Sequence, residues 1–322
     1  MTMRMLGMLL ALALPCALGA QGERDSATMR VTIQRVVTSV ASLAEQNYVF
    51  PDTGRLVADH LRKRLADGAY ASVTELAQLA DRLTRDMQAI NGDRHLYVNY
   101  AGARRSQPDE SGPGPRVVMR RPGDAVSPDV LAAARRNNYD FQAVQRLEGN
   151  VGYVSLAALR SQGSAEAFEV IDAAMAFLRH ADAMIIDLRR TIGGEPRVSD
   201  YLASYFFGPT PVPTLTSYSR GMNRTDERTT VPVKGALRPD IPLYLLVGKG
   251  TASGTEDFAF IIKQTGRGTL VGGTTAGAGR LTRMFPVGDG FVASISGGRT
   301  FDPRTGKEWE RTGIAPARGA AA

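Results

Sequence analysis

The sequence predicts an α/β protein, with an N-terminal helical bundle followed by a layered α/β domain built on a largely parallel sheet. Three observations predict it. From Met29 to Ile90 apolar residues recur at helical spacing. From Val151 to Gly313 short apolar runs alternate with helical stripes. Between them, residues 101–128 are rich in Pro, Gly, Ser and Arg and read as a connector.

In the first part, Val36, Val37, Val40, Leu43 and Ala44 mark one stripe and Leu56, His60, Leu61 and Leu65 a second. Val73, Leu76, Leu79, Leu83, Met87 and Ile90 mark a third, opened by a capping box at Ser72 and Glu75. Pro51 and Gly68 separate the three, and Asn91-Gly92 ends the last before a strand over His95–Tyr100. A short strand is expected around Val117–Met119 in the connector, which extends over 101–150. In the second part the expected order is strand Val151–Leu156, a helix through Phe168, Ile171, Met175 and Leu178, and strand Ala183–Asp187. A helix over Val198–Phe207, a long Pro/Thr-rich loop to Asp240 and strand Pro242–Val247 follow. Next come a helix through Phe258, Ile261 and Ile262, strands Thr269–Val271 and Phe291–Ser296, and a closing hairpin. The α/β domain is bounded at 151–317, with 318–322 a tail.

Arg4, the apolar run Met5–Leu14, Pro15 and small residues up to Ala20 have the layout of a secretory signal, too short to span a membrane. Cleavage is expected near Ala20, which leaves 21–100 as the mature helical module and a periplasmic or secreted protein. The single cysteine, Cys16, falls inside that signal, so disulfides, thiol nucleophiles and thiolate metal sites are not expected. The formal charge of +7 comes almost wholly from arginine, scattered among acids with few aromatics nearby. That pattern is a solvated basic surface rather than a nucleic-acid footprint. No stable membrane insertion is expected after the signal. With three separated histidines, no metal site or other cofactor is expected either.

Ser253 lies in the turn between an apolar strand and a helix, where the crevice of an α/β sheet and the helix dipole both favour chemistry. Ser253 and Glu256 equally spell a capping box, so the serine reads as nucleophile or cap. A nucleophilic serine needs a base, an orienting group and oxyanion donors. His60 sits in an arginine-rich helix, and His180 ends a helix, where a cation suits the dipole. His95 stands at a loop-to-strand edge between the two parts, where clefts form, and reads as ligand-facing or structural. Gly193-Gly194, after a buried strand, gives close backbone approach to a ligand or simply a sharp turn. Thr274–Gly279 is a second glycine loop without the context of a nucleotide-binding loop. Glu308-Trp309-Glu310 offers a carboxylate to orient a histidine, or ordinary hairpin charge.

Four blocks carry a family resemblance: Ile186–Gly194 (IDLRRTIGG), Gly250–Glu256 (GTASGTE), Gly266–Gly277 (GRGTLVGGTTAG) and Trp309–Pro316 (WERTGIAP). They resemble the tail-specific, C-terminal processing serine peptidases. Asn47–Pro51, Gly68–Tyr70 and Asp93–Leu96 resemble the helical N-terminal module of interphotoreceptor retinoid-binding protein and its bacterial peptidase relatives. The resemblance implies a crotonase-like layered catalytic domain and a peptide or protein substrate. It also implies Ser253 as nucleophile and an oxyanion hole from Gly254 with Gly193 or Gly194. The lysine base of the processing branch falls at Ala278, and Arg280 cannot replace it because a guanidinium stays protonated. The tricorn-like branch implies His95 as base and Glu310 as its orienting carboxylate, with Asp93 an alternative orienter. Thr191, Arg94 and Ala317 depart from the usual asparagine, serine and aspartate of that pattern. The connector is too short for a PDZ domain. A carrier of hydrophobic or peptide ligands on the same fold is the rival reading, and an esterase-like hydrolase a third.

Overall fold

The structure, a computed structural model, describes residues 16–101 and 126–319, with side chains over 26–101 and 126–317. Most of the expected signal segment, and the strand expected around Val117–Met119, lie outside the described residues.

Three helices open the fold: α1 (Cys16–Asn47), α2 (Pro51–Ala66) and α3 (Leu76–Asn91). Pro51 occupies the first turn of α2, where a missing N–H costs nothing, and Gly92 ends α3 in the left-handed conformation, φ 71°. Two expectations are corrected here. The inward face of α2 is Gly54, Val57, Ala58 and Leu61, while Leu56 is exposed. Gly54 is required there, because a Cβ would stand 2.7 Å from the Ala44 carbonyl oxygen of α1. The N-cap of α3 is Glu75, so Ser72 does not open a capping box; its hydroxyl instead accepts from Arg82.

The second half builds two sheets. Strands β2 (Phe141–Leu147), β3 (Val151–Leu156), β4 (Ala183–Asp187), β7 (Leu243–Val247), β8 (Thr269–Gly272) and β11 (Arg318–Gly319) lie in the order β11-β8-β7-β4-β3-β2. All neighbours are parallel except the β2–β3 pair. Helices α5 (Glu166–Phe177), α6 (Pro196–Ser204) and α7 (Gly254–Gln264) share the main core with this sheet. A short helix, α4 (Pro128–Arg136), precedes β2. In place of a closing hairpin, the described residues end in β11, in parallel register with β8.

The second sheet is antiparallel, β1 (Tyr97–Tyr100)–β10 (Phe291–Phe301)–β5 (Pro213–Ser219)–β6 (Arg224–Thr229), with β9 (Arg280–Gly288) along the other side of β10. The segment read as a Pro/Thr-rich loop is thus largely the β5–β6 hairpin. Its threonines suit a pleated strand, and Arg220–Asn223 make the turn. Helices α1–α3 pack on this sheet, so that Val36, Val40, Leu61, Leu83 and Met87 share a core with Phe291, Ala293 and Ile295. No described helix is long and apolar enough to cross a membrane.

Candidate active site

Strands β4 and β7 are parallel neighbours, with Asp187 opposite Leu246, so the loops that follow them emerge side by side. The β4 loop carries Gly193 and Gly194; the β7 loop carries Ser253. Hydroxyls sew the two together. Thr251 donates to the Leu188 carbonyl at 2.7 Å, Thr191 donates to that same oxygen at 2.9 Å, and the Thr191 and Thr255 hydroxyls meet at 2.8 Å. Thr191, which departs from the family pattern, is therefore a buried tie between the loops. Gly250 is required by the approach, since a Cβ would stand 2.2 Å from the Arg189 carbonyl oxygen.

Ser253 is the N-cap of α7 by position, yet its backbone is φ 52°, ψ −130°. An ordinary N-cap is extended. These angles, with the Thr255 amide donating to the Ala252 carbonyl at 3.3 Å, are those of the first central residue of a type II′ turn. Glycine normally takes that place, and a side chain there costs on the order of 1–3 kcal/mol. The surroundings hold it: Phe258, Ile261 and Ile262 are fully buried on α7, each contributing about 1.5–3 kcal/mol. A strained serine between strand and helix is the geometry that projects a nucleophile.

Around it, backbone is packed against backbone. A Cβ on Gly193 (φ 113°) would stand 2.9 Å from Ser253 Cβ, and one on Gly254 would stand 2.3 Å from the Gly194 carbonyl oxygen. The amides of Gly193, Gly194 and Gly254 donate no hydrogen bond within the described residues. Three free N–H groups thus lie within the two loops at the serine. A narrow cavity beside Ser253 is lined by Gly194, Pro196, Gly254, Ala278, Arg280 and Leu281, among others.

Glu256 has a larger part than its capping pattern suggested. Its buried carboxylate accepts from the Ser253 amide (2.9 Å), the Ala278 amide (2.7 Å), the Gly277 amide (2.8 Å) and the Thr275 hydroxyl (2.5 Å). The Thr274–Gly279 loop is therefore gathered onto the serine turn by one side chain. Burial pushes this carboxyl upward, against the pull of the four donors.

His95 is half-buried at the entry to β1. Its Nδ1 is buried without a hydrogen-bond partner and lies 3.9 Å from Asp93 Oδ1. Asp93 is itself buried and fixed, accepting from the His95 amide at 2.9 Å and from the Tyr48 hydroxyl at 3.0 Å. Burial lowers the His95 pKa; Asp93 raises it, and Arg280 and Arg94 lower it. Glu310 is buried, accepts from the Gly279 amide at 2.8 Å, and is pushed up to about 7 by burial and then by the Asp93 charge. Arg280 joins these groups to the serine cavity. Its side chain, 8% exposed, pairs with Glu308 at 2.8 Å, lies over the Phe50 ring and leaves Nε buried without a partner.

The structure thus brings Ser253, Gly193, Gly194 and Gly254 together, and the charge of Arg280, which lines the Ser253 cavity, acts on both His95 and Glu310. Among the described residues no hydrogen bond joins Ser253 to His95 or His95 to Glu310. His60 lies half-buried on α2, and His180 is exposed after α5, accepting from Arg179. Lys249 is exposed and Lys263 donates to the Ala315 carbonyl, so no described lysine lines the cavity. Arg228, discussed below, escaped the sequence reading because nothing within its own segment points to the partners it meets.

A serine in a strand–turn–helix junction, packed against two loops whose glycine amides are free, stands on a parallel sheet beside a helix-covered antiparallel one. The family model of peptidase family S41 matches residues 150–318, and that of the N-terminal domain of peptidase S41 in eukaryotic IRBP matches residues 24–133. The chain belongs to peptidase family S41. A carboxyl-terminal-processing protease of Synechocystis sp. is 32% identical over 149 residues, 46% of this chain and 33% of that protein. The chain thus covers about a third of the length of that relative. A putative peptidase from Parabacteroides merdae has a similar fold, with TM-score 0.59 and 19% identity over 90% of each chain. So has the photosystem II D1 C-terminal processing protease, with TM-score 0.55 and 15% identity over 89% of this chain and 93% of that one.

Proposed function

We propose that the chain is a serine peptidase acting outside the cytoplasm, with Ser253 as nucleophile, His95 as general base and Glu310 as the carboxylate that completes the triad. The observation that carries this reading is the backbone of Ser253, whose φ of 52° an N-cap does not need and a projected nucleophile does. Burial keeps His95 neutral at lower pH than an ordinary histidine, which suits a base. His95 takes the Ser253 hydroxyl proton as Oγ bonds to the scissile carbonyl carbon. The amides of Gly254 and of Gly193 or Gly194 receive the oxyanion. Collapse breaks the C–N bond, His95 returns the proton to the leaving amine, and water then attacks the acyl-enzyme with His95 again as base. Hydrogen bonds of such relays are often made only in the substrate complex, which accommodates the open contacts of the resting site. A second reading gives the orienting role to Asp93, the carboxylate whose Oδ1 lies 3.9 Å from His95 Nδ1.

The test is labelling of the mature chain by a fluorophosphonate probe. Labelling of wild type that is lost in Ser253→Ala and in His95→Ala supports the triad. A folded wild type that does not label overturns it and favours a carrier of hydrophobic or peptide ligands, which saturable binding of an apolar dye, unchanged in Ser253→Ala, would reveal.

A further inference from the structure

Arg228, on the edge strand β6, reaches out of its own sheet to the beginnings of two helices. Its Nε and Nη2 donate to Asp200 Oδ2 and Oδ1, each at 2.9 Å, and Nη1 donates to Asp257 Oδ2 at 2.7 Å. Nη2 also donates to the Pro196 carbonyl at 3.1 Å. Pro196 opens α6 directly beyond Gly194 and Glu195, and Asp257 lies in the first turn of α7, just beyond Ser253 and Gly254. One guanidinium therefore ties together the two helices that follow the loops carrying the free glycine amides. Ser199 of α6 adds a parallel tie, donating to the Gly254 carbonyl at 2.6 Å.

The Arg228 side chain is 11% exposed, and those of Asp200 and Asp257 are 10% and 6%. Burial raises both aspartates, Arg228 pulls each back, and the Asp200 charge raises Asp257 further. Without the cation the two carboxylates would repel across the α6–α7 contact. Stability alone does not call for such a group, because buried ion pairs are commonly replaced by apolar packing at no loss. The fork geometry of an arginine, by contrast, fixes distances between the groups it bridges.

We propose that Arg228 is a positioning residue that sets the separation of the Gly193–Gly194 loop from the Ser253–Gly254 turn, and so the geometry of the oxyanion hole. This rests on the serine-peptidase reading of the site. Arg228→Lys keeps the charge and loses the fork. The expected result is a folded chain, by circular dichroism and thermal midpoint, that the fluorophosphonate probe labels about 10²-fold more slowly, the loss typical of a displaced catalytic geometry. The pH profile of labelling should stay unchanged, because Arg228 touches neither His95 nor its carboxylates. Guanidinium ion added to Arg228→Ala should restore part of the rate, which a general loss of stability would not allow. If Arg228→Lys does not fold, Asp257→Asn cuts one arm of the bridge and should slow labelling in the same way. A folded variant that labels at the wild-type rate overturns the proposal and leaves the peptidase reading standing. A wild type that does not label at Ser253 overturns both.

Discussion

Glu256→Gln is the sharpest perturbation of this site, because it changes one atom and removes a charge. Both carboxylate oxygens are occupied: Oε1 accepts from Thr275 and Gly277, and Oε2 from Ala278 and Ser253. A glutamine has one acceptor oxygen and a donor amide. In one orientation its NH₂ faces the Ala278 and Ser253 amides, leaving two buried N–H groups without acceptors. In the other it faces Gly277 and Thr275; the hydroxyl can turn to accept from the NH₂, but the Gly277 N–H and the Thr275 O–H both lose their acceptor. Each unpaired buried group costs about 1–3 kcal/mol. The variant should therefore lose at least that much of a total near 5–15 kcal/mol for a domain. Urea unfolding followed by circular dichroism reads this as a lower midpoint with an unchanged slope. Fluorophosphonate labelling should slow as well, since the Ser253 amide and the 275–278 loop share this one anchor. Equal midpoints would mean that Glu256 carries a proton in the folded chain, and the account of four donors meeting an ionised carboxylate would be refuted.

Two further outcomes concern pH. Burial and the nearby Asp93 charge raise Glu310 from its ordinary 4.5 to about 7, so the folded chain holds a proton there that the unfolded chain has released. Its contribution is fully present below pH 4.5 and is lost as pH rises to about 7. Thermal midpoints across that window should show the decline, and Glu310→Gln should flatten it; a wild-type slope retained in the variant would exclude Glu310 as its source. For His95, burial holds the pKa below 6.5, so the acidic limb of the labelling rate should lie below that value. Arg280→Gln should move the limb upward and Asp93→Asn downward, since Arg280 lowers the His95 pKa and Asp93 raises it. A limb above 6.5, or shifts of the opposite sign, would contradict this placement of charges.

Elements with strong local signals were legible in the sequence. The strand Val151–Leu156 and the Ser253 turn appear where apolar runs and glycines put them. The β5–β6 hairpin was not legible, because strands such as Arg224–Thr229 are half-exposed at a sheet edge and carry no apolar alternation. Leu56 was misplaced because a glycine, Gly54, faces α1, and hydrophobicity does not report a close backbone approach. At the site, residue identity suggested Ser253 and the double glycine, whereas the backbone of Ser253 could come only from coordinates. Arg228 meets Asp200 and Asp257 through a fold that juxtaposes three separate segments, and no spacing rule encodes such a meeting.

The pairing of β1 with β10 bears on when the proposed site can assemble. His95 enters β1, whose partners are Phe291 to Ser294 near the other end of the chain. A growing chain at about 5–20 residues per second would release Ser253 well before the strand that seats His95 has left the ribosome. On the proposed mechanism a half-made chain therefore carries a serine without a placed base, and the enzyme cannot cut its neighbours during synthesis.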